Sequence, residues 1–199
     1  MKILAISDQV EPRFLRAGQS APVVQKIDII LSCGDLPASY LEYLVTLLNV
    51  PLCFVLGNHD EQLLGKHLDG CTCIDETTVI RKGRIIGGLS GSTDYNDGQL
   101  MFSEVEMLRK ISRLYPRLLW NKLRYGRHLD IFISHSPISG ILDETTHAHR
   151  GFKVLRMFDK CFKPRLHLHG HTMVKGRKYV ARYHSTEIIN INHFRIFDV

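Results

Sequence analysis

The chain has 199 residues, of which 44% are hydrophobic and 23% are charged, and this balance excludes disordered, collagen-like and membrane-embedded proteins. Its 26 lysines and arginines outnumber its 20 aspartates and glutamates, and the formal net charge of +6 favours an anionic substrate or partner. The five cysteines are odd in number and form no paired framework, which fits a reducing compartment. We therefore expect one soluble, cytoplasmic domain over residues 1–199, without a signal peptide and without membrane contact.

Short apolar runs alternate with helical patterns along the chain, and this alternation predicts an α/β fold. The predicted strands cover residues 2–7, 27–33, 50–56, 129–134 and 164–169, and the predicted helices cover residues 39–48, 103–114 and 152–162. The helix at residues 103–114 opens with Ser103 and Glu106 at the spacing of a capping box. The nearly continuous hydrophobicity of the strands indicates sheets that are covered on both faces. Residues 78–89 and 178–199 look like short strands joined by tight turns, which predicts a second, more antiparallel sheet.

Each of the predicted strands is followed by residues of the types that bind metal ions. These residues are Asp8, Asp35, Asn58 with His59 and Asp60, His135, and His171. The carboxyl ends of strands in α/β sheets form the crevice where ligands bind, so we expect these side chains to converge. Taken singly, such a residue is usually a helix cap, a turn former or a buried histidine. Their shared position after every strand favours a metal site.

In this order along the chain, the motifs resemble those of the calcineurin-like metallophosphoesterase superfamily. The most specific motif is the tetrapeptide Gly-Asn-His-Asp at residues 57–60, followed by Gly-Asp at residues 34–35. The resemblance spans residues 2–191. It implies an α/β fold, a four-layer sandwich of two mixed β-sheets flanked by helices, with a metal site at the edge of the sheets.

The resemblance also implies which residues bind metal. Asp35 would bridge two ions; Asn58, His135 and His171 would complete one site, and Asp8 would belong to the other. A donor set of one carboxylate, one amide oxygen and two imidazoles suits Mn²⁺, Fe²⁺, Zn²⁺ or Ni²⁺ better than Ca²⁺ or Mg²⁺.

The reaction implied by the resemblance is the hydrolysis of a phosphoester. The short chain shows no evident capping domain and so predicts an open site, which favours a phosphodiester as substrate. A bound metal ion lowers the pKa of its water towards about 7 and so supplies hydroxide as the nucleophile. His59 would protonate the leaving oxygen or stabilise the charge of the transition state, with Asp60 orienting it. The unperturbed pKa of histidine, about 6.5, suits a general acid near neutral pH.

Two positions depart from the family pattern, because Val10 and Met173 stand where the family has histidines that ligate the second ion. Three interpretations stay open. The enzyme can act with one metal ion, or a second ion can be recruited by Glu11, Gln9 or His169. Alternatively, the chain is a weak or inactive protein of this fold that acts as an interaction scaffold, although the retained leaving-group acid argues against this.

Two further segments are candidates for substrate contacts. His149 and Arg150 follow the loop after the fourth predicted strand, and their basic groups can face a phosphate oxygen. The loop at residues 91–98 is long enough to cover a site and can hold Tyr95 or Asn96 near the substrate. For both segments, an ordinary exposed surface is an equal alternative.

The segment at residues 109–128 combines seven lysines and arginines with two tyrosines and a tryptophan. Such a pattern can bind nucleic acid by tracking phosphates and stacking bases. An amphipathic pair of helices with a solvated basic face explains most of the same pattern, and we favour that interpretation. The sequence carries no heptad repeat that would indicate an oligomeric state.

Overall fold

The structure is a computed structural model, and it describes residues 1–17, 26–144, 146–173 and 179–199. The helices are α1 (Pro12–Ala17), α2 (Ala38–Leu48), α3 (Glu104–Tyr125) and α4 (Lys153–Phe162). The strands are β1 (Lys2–Ser7), β2 (Ile29–Ser32), β3 (Leu52–Phe54), β4 (Cys71–Cys73), β5 (Thr77–Arg81), β6 (Arg84–Leu89), β7 (Ser92–Thr93), β8 (Met101–Phe102), β9 (Ile131–Ser134), β10 (Leu166–His169), β11 (Val180–Tyr183), β12 (Thr186–Asn190) and β13 (His193–Asp198). None of the helices in these ranges combines the length and hydrophobicity needed to span a membrane.

The strands form two main mixed sheets. The first has the order β13-β1-β2-β3-β4, in which only β13 is antiparallel to its neighbour. The second has the order β11-β12-β10-β9-β6-β5. The prediction of a more antiparallel second sheet is correct only at its edges, because β6, β9, β10 and β12 run parallel. Helices α3 and α4 lie between successive central strands in the chain, as parallel crossovers require.

The sheets pack face to face, and each is covered by helices on its outer face. On β1, Ile3 and Ala5 belong to the apolar cluster between the sheets, whereas Leu4 and Ile6 belong to the cluster that includes α1 and α2. The outer face of the second sheet packs against α3 and α4 in the same way. Burial on both faces explains why the strands are hydrophobic throughout, and the predicted four-layer sandwich is confirmed.

Helix α3 is one continuous helix of 22 residues, so the predicted helix pair over residues 109–128 is wrong. Its start was predicted correctly: the Ser103 hydroxyl accepts from the backbone of Glu106, whose carboxylate accepts from Ser103 N at 2.8 Å. Pro116 lies inside the helix without ending it. Leu114 and Leu118, on either side of the proline, are fully buried, and their packing compensates for the lost backbone hydrogen bond.

A buried polar network joins α4 to the two strands behind the site. His167 Nε2 lies 2.8 Å from Ser134 Oγ, and His167 Nδ1 lies 2.9 Å from Asp159 Oδ2. The Ser134 hydroxyl donates its proton to the carbonyl of Ser136, so His167 Nε2 must donate to Ser134. His167 thus bridges Ser134 on β9 and Asp159 on α4 through both of its ring nitrogens. All of these side chains are buried from substrate, which makes the network structural.

Replacing Asp159 by alanine is expected to lower the free energy of unfolding by about 2 kcal/mol, because it leaves the buried His167 Nδ1 without its hydrogen-bond partner. Urea denaturation measures this loss. The matched control is Asp69→Ala, since the Asp69 side chain is 96% exposed and its removal should leave stability almost unchanged. Equal stability of the two variants would contradict a stabilising contact between Asp159 and His167.

Candidate metal centre

The carboxyl ends of five parallel strands from both sheets meet at one edge of the sandwich. Asp8 follows β1, Asp35 follows β2 and Asn58 follows β3 in the first sheet, while His135 follows β9 and His171 follows β10 in the second. The structure therefore brings together all five residues that the sequence selected as metal ligands.

Four acceptor atoms converge at the middle of this edge. His135 Nε2 lies 3.0 Å from Asn58 Oδ1, 3.0 Å from His171 Nδ1 and 3.3 Å from Asp35 Oδ2. The ligand atoms of Asp35, His135 and His171 all lie within 4.8 Å of one another. Donors about 2.1 Å from a tetrahedral ion lie about 3.4 Å apart, so the spacing of these atoms fits a transition metal.

Backbone carbonyls fix the orientation of both histidine rings. His135 Nδ1 lies 2.8 Å from Cys33 O, and His171 Nε2 lies 2.6 Å from Ala148 O. A carbonyl only accepts hydrogen bonds, so these nitrogens carry the protons and the opposite nitrogens present lone pairs to the centre. Lone pairs that face one another repel unless a positive charge lies between them. An arrangement of this kind is typical of a metal site.

The electrostatics of the centre also favour a positive charge. Burial opposes the charged form of His135, yet the carboxylates of Asp35 and Asp8 raise its pKa to about 9. Burial opposes ionisation of Asp35 too, but His135 and the backbone amide of His59 lower the pKa of Asp35 to about 2. Burial, and then the neighbouring His135, lowers the pKa of His171 to about 3. The centre thus attracts one positive charge, which either a proton or a metal ion can supply.

The backbone is strained where it presents three of these side chains. Asp8, Asp35 and His171 have φ values of 63°, 56° and 65°, in the left-handed region that few non-glycine residues adopt. Gly57 is required for a different reason, because a Cβ atom there would overlap Asp35 Oδ1 and lie 2.7 Å from His135 Cε1. Strain of this kind concentrates at functional sites.

Asp60 holds two of the motifs together. Its Oδ2 accepts from the backbone amides of Asp35 at 2.7 Å and Gly57 at 2.8 Å. Burial raises the pKa of Asp60, and these two amides act against that rise. The His59 side chain is exposed at the site, and its backbone amide donates to Asp35 Oδ1 at 2.9 Å. Orientation of the His59 ring by Asp60 stays a prediction.

A cleft of about 310 Å³ opens over the centre. Its walls include Asp8, Asp35 and His171 together with His59, Tyr95 and His149. The ring of His149 lies 5.2 Å from the ring of His171, so His149 is placed beside the candidate ligands. Arg150 is exposed and is not among the residues that line the cleft; its carbonyl accepts from the Thr93 hydroxyl at 3.1 Å. Phosphate binding by His149 and Arg150 stays a prediction.

The two departures from the family pattern lie in different environments. Val10 is partly buried against the apolar cluster that includes α1 and α2. Met173 is 68% exposed and lines the cleft near Asp8. The carboxylate of Asp8 accepts from the backbone amide of His171 at 3.1 Å through each of its oxygens. The Asp8 side of the centre therefore has a carboxylate but lacks both imidazoles.

Glu11, His169 and Gln9, the three possible replacement ligands, differ in their contacts and in their access to the cleft. The Glu11 carboxylate is engaged by Arg13 at 2.9 Å. His169 is fully buried, which lowers its pKa to about 3, and its Nδ1 lies 3.0 Å from Gly170 O. Of the three candidates, only Gln9 lines the cleft. A neutral amide alone is a weak addition to a site that already lacks two ligands.

Tyr95 contacts a candidate ligand directly. Asn58 Nδ2 donates to Tyr95 OH at 3.0 Å, which turns the amide oxygen of Asn58 towards His135. The sequence offered Tyr95 or Asn96 as residues near the substrate; Asn96 lines a neighbouring cleft that includes Asn58 and His59. Tyr95 therefore fixes the orientation of the Asn58 amide.

Replacing Tyr95 by phenylalanine is expected to weaken Mn²⁺ binding by about 10- to 100-fold, because the Asn58 amide loses the contact that fixes its orientation. Isothermal titration measures this affinity. Tyr115→Phe, on the exposed face of α3, is the matched control and should bind Mn²⁺ as the unaltered chain does. Equal affinity of the two variants would show that the tyrosine hydroxyl does not position Asn58.

Sequence reasoning missed the carbonyls of Cys33 and Ala148, which orient the two histidine rings. Every residue has a backbone carbonyl, so no residue type marks this role. The positive φ values of Asp8, Asp35 and His171 have no reliable sequence signal either.

Comparisons with known proteins agree with this architecture. Residues 1–175 match the family model of the calcineurin-like phosphoesterases. One crystal structure is similar with a TM-score of 0.67 and 15% identity, over 95% of this chain and 89% of that chain. TT1561 of Thermus thermophilus is similar with a TM-score of 0.62 and 16% identity, over 95% and 88%. Vps29 of Chaetomium thermophilum gives a TM-score of 0.44 and 15% identity, over 100% and 80%. A comparison with curated proteins gives no significant match.

Proposed function

The chain belongs to the calcineurin-like phosphoesterase family, and on that premise we propose that it is a phosphodiesterase built around a single divalent metal ion. The observation that carries this proposal is the convergence of lone pairs from Asp35, Asn58, His135 and His171 at one point. The loss of imidazoles at Val10 and Met173 supports one ion, because only Asp8 and the shared Asp35 serve the second position.

Asp35, Asn58, His135 and His171 would hold the ion, and their mixture of oxygen and nitrogen donors suits Mn²⁺, Fe²⁺, Zn²⁺ or Ni²⁺. Such an ion supplies Lewis-acid chemistry, which acidifies water and offsets the negative charge of a phosphoryl group. The carbonyls of Cys33 and Ala148 keep the two imidazoles in the tautomers that can bind it.

The remaining side chains of the cleft act on the substrate. His59 is exposed at the cleft wall and can donate a proton to the leaving oxygen. His149, on the side of His171, can donate a hydrogen bond to a phosphoryl oxygen. The cleft is open to solvent, and an open cleft accommodates the second ester group of a diester, which supports a diester over a small enclosed monoester.

The test is hydrolysis of bis(4-nitrophenyl) phosphate by protein that has been treated with a chelator and then reconstituted with Mn²⁺. The proposal expects no hydrolysis after chelation and recovery of hydrolysis with Mn²⁺. 4-Nitrophenyl phosphate, assayed in parallel, separates diesterase from monoesterase activity. Turnover that persists in the chelator, or a preference for the monoester, would contradict the proposal.

Replacing His59 by asparagine is expected to lower kcat by about 100-fold while the metal content stays unchanged, because the leaving-group acid is lost. The loss should be greater for a methyl ester, whose alkoxide leaves poorly, than for a nitrophenyl ester. Steady-state kinetics on both esters, with elemental analysis of the same samples, measure this. An equal loss on both substrates would be inconsistent with proton donation by His59.

A binding role without catalysis is the second candidate function. Its support is that Val10 and Met173 stand where the family has metal-binding histidines. It predicts that protein saturated with Mn²⁺ hydrolyses neither phosphate ester although it remains folded. The retention of His59 at the cleft wall supports the enzyme instead.

A further inference from the structure

Helix α3 exposes a long apolar stripe beside its core-facing side, and within this stripe Tyr115 contacts Phe162 of α4 at 6.1 Å between ring centroids. Its members are Val105, Leu108, Tyr115, Leu119 and Leu123, which follow one another at helical spacing and are between 43% and 82% exposed. The core-facing side of α3 is separate and consists of Met107, Ile111, Leu114 and Leu118. The stripe is therefore an addition to what the fold requires.

A row of arginines runs beside this α3 stripe. Arg109, Arg113, Arg117 and Arg124 share one face of the helix next to the stripe, and all of them are exposed. Arg113 is paired with Glu76 at 3.1 Å. The sequence of α3 has no acidic residue after Glu106. The stripe thus has a basic flank along most of its length.

Two other basic residues of the segment at residues 109–128 form ion pairs with nearby carboxylates. Lys110 is buried and lies 2.7 Å from Asp75, and Arg127 lies 2.9 Å from Asp130. The Lys110 pair is buried beside α3, whereas Arg127 follows α3 and is tied to the residue before β9, so neither side chain belongs to the row beside the stripe. The row of arginines beside the stripe is the part of the basic segment that can meet a partner.

We propose that the outer face of α3 docks an amphipathic helix of a partner protein, with the apolar side of that helix on the stripe and acidic side chains against the arginine row. Residues 105 to 123 span about 27 Å at 1.5 Å per residue, the length of a partner helix of about 18 residues. The stripe has the width of one helix. A partner helix that lies on it is next to the positively charged arginine row, so its matching side must be acidic.

Other occupants match this surface less well. An antiparallel second copy of α3 would place the arginine rows of the two copies against each other, in a chain that already carries a charge of +6. Nucleic acid stacks on aromatic rings, whereas the stripe is mainly aliphatic. Nucleic acid and an anionic lipid surface are separate arms of the test.

Trp120 provides the readout, because it is the single tryptophan of the chain and lies on α3, 64% exposed. The probe is a synthetic helical peptide with leucines at i, i+3, i+4 and i+7 spacing and glutamates on its flank. Two control peptides carry lysines in place of the glutamates, or the same residues in scrambled order. We expect a blue shift of the Trp120 emission and at least tenfold tighter binding of the glutamate peptide than of either control.

Variants of α3 test the two features separately. Leu119→Ser with Leu123→Ser should weaken binding of the glutamate peptide at least tenfold, whereas Leu15→Ser, at an exposed leucine of α1, should not. Arg117→Glu with Arg124→Glu should reverse the preference in favour of the lysine peptide. Phosphoesterase activity should be the same in all of these variants, since none contacts the cleft.

Three results would overturn the proposal. One is equal binding of the glutamate and scrambled peptides, and another is an unchanged preference in the charge-reversed variant. The third is an emission shift with phosphatidylglycerol vesicles or with a single-stranded oligonucleotide but none with the glutamate peptide, which would assign the face to lipid or nucleic acid.

Discussion

Replacing His135 by alanine is expected to reduce metal-dependent diester hydrolysis by at least about 100-fold and to remove the bound metal. His135 Nε2 is the atom from which the distances to the three other acceptors are 3.0 to 3.3 Å, so its loss opens the centre on one side. It also leaves the Asp35 carboxylate without the neighbour that lowers its pKa to about 2. Hydrolysis rates and elemental analysis on the same preparation measure both effects.

The control for this experiment is His184→Ala, which removes a histidine between β11 and β12 that does not line the cleft. It should keep full activity and full metal content. Thermal unfolding of both variants shows whether the chain remains folded. A folded His135→Ala variant that retains both metal and activity would show that the centre lies elsewhere.

Introducing the two absent histidines, Val10→His together with Met173→His, is expected to raise the metal content from about one to about two ions per chain. Asp8 and Asp35 are already in place, and the added imidazoles supply the lone pairs that valine lacks and a thioether offers only to soft metals. Val10 packs against an apolar cluster, so the variant should also lose about 1 kcal/mol of stability.

The matched control for the gain of a second ion is Met157→His, at an exposed methionine of α4 away from the cleft. It adds an imidazole to the surface and should leave the metal content at about one. If the double variant also stays at one ion, then the absence of these two histidines is not what limits the site.

The main architecture and the candidate ligands could be predicted because both depend on local signals. The apolar runs have strand length, and parallel strands necessarily bring their carboxyl ends to the same edge of a sheet. Asp8, Asp35 and His135 could therefore be selected without knowing any distance. The start of α3 was predicted from Ser103 and Glu106 for the same reason, since a capping box is contained within four residues.

Features that depend on distant parts of the chain could not be predicted. The helix predicted over residues 103–114 ends before Pro116, whereas α3 continues to Tyr125. Leu114 and Leu118 pack against the second sheet and stabilise the helix on both sides of the proline. The second sheet was expected to be more antiparallel, because hairpins are visible in the sequence whereas crossovers through α3 and α4 are not. The contact of Asp60 with the amides of Asp35 and Gly57 likewise joins separate motifs.

Metal stoichiometry on protein reconstituted with Mn²⁺, with diesterase activity measured on the same sample, tests the central claim most directly. The structure predicts about one ion per chain together with activity, because one set of four donors is complete and the other lacks the imidazoles replaced by Val10 and Met173. Two ions per chain would show that other residues replace the missing ligands. An absence of both metal and turnover would contradict the assignment of a phosphoesterase and favour a binding protein of this fold.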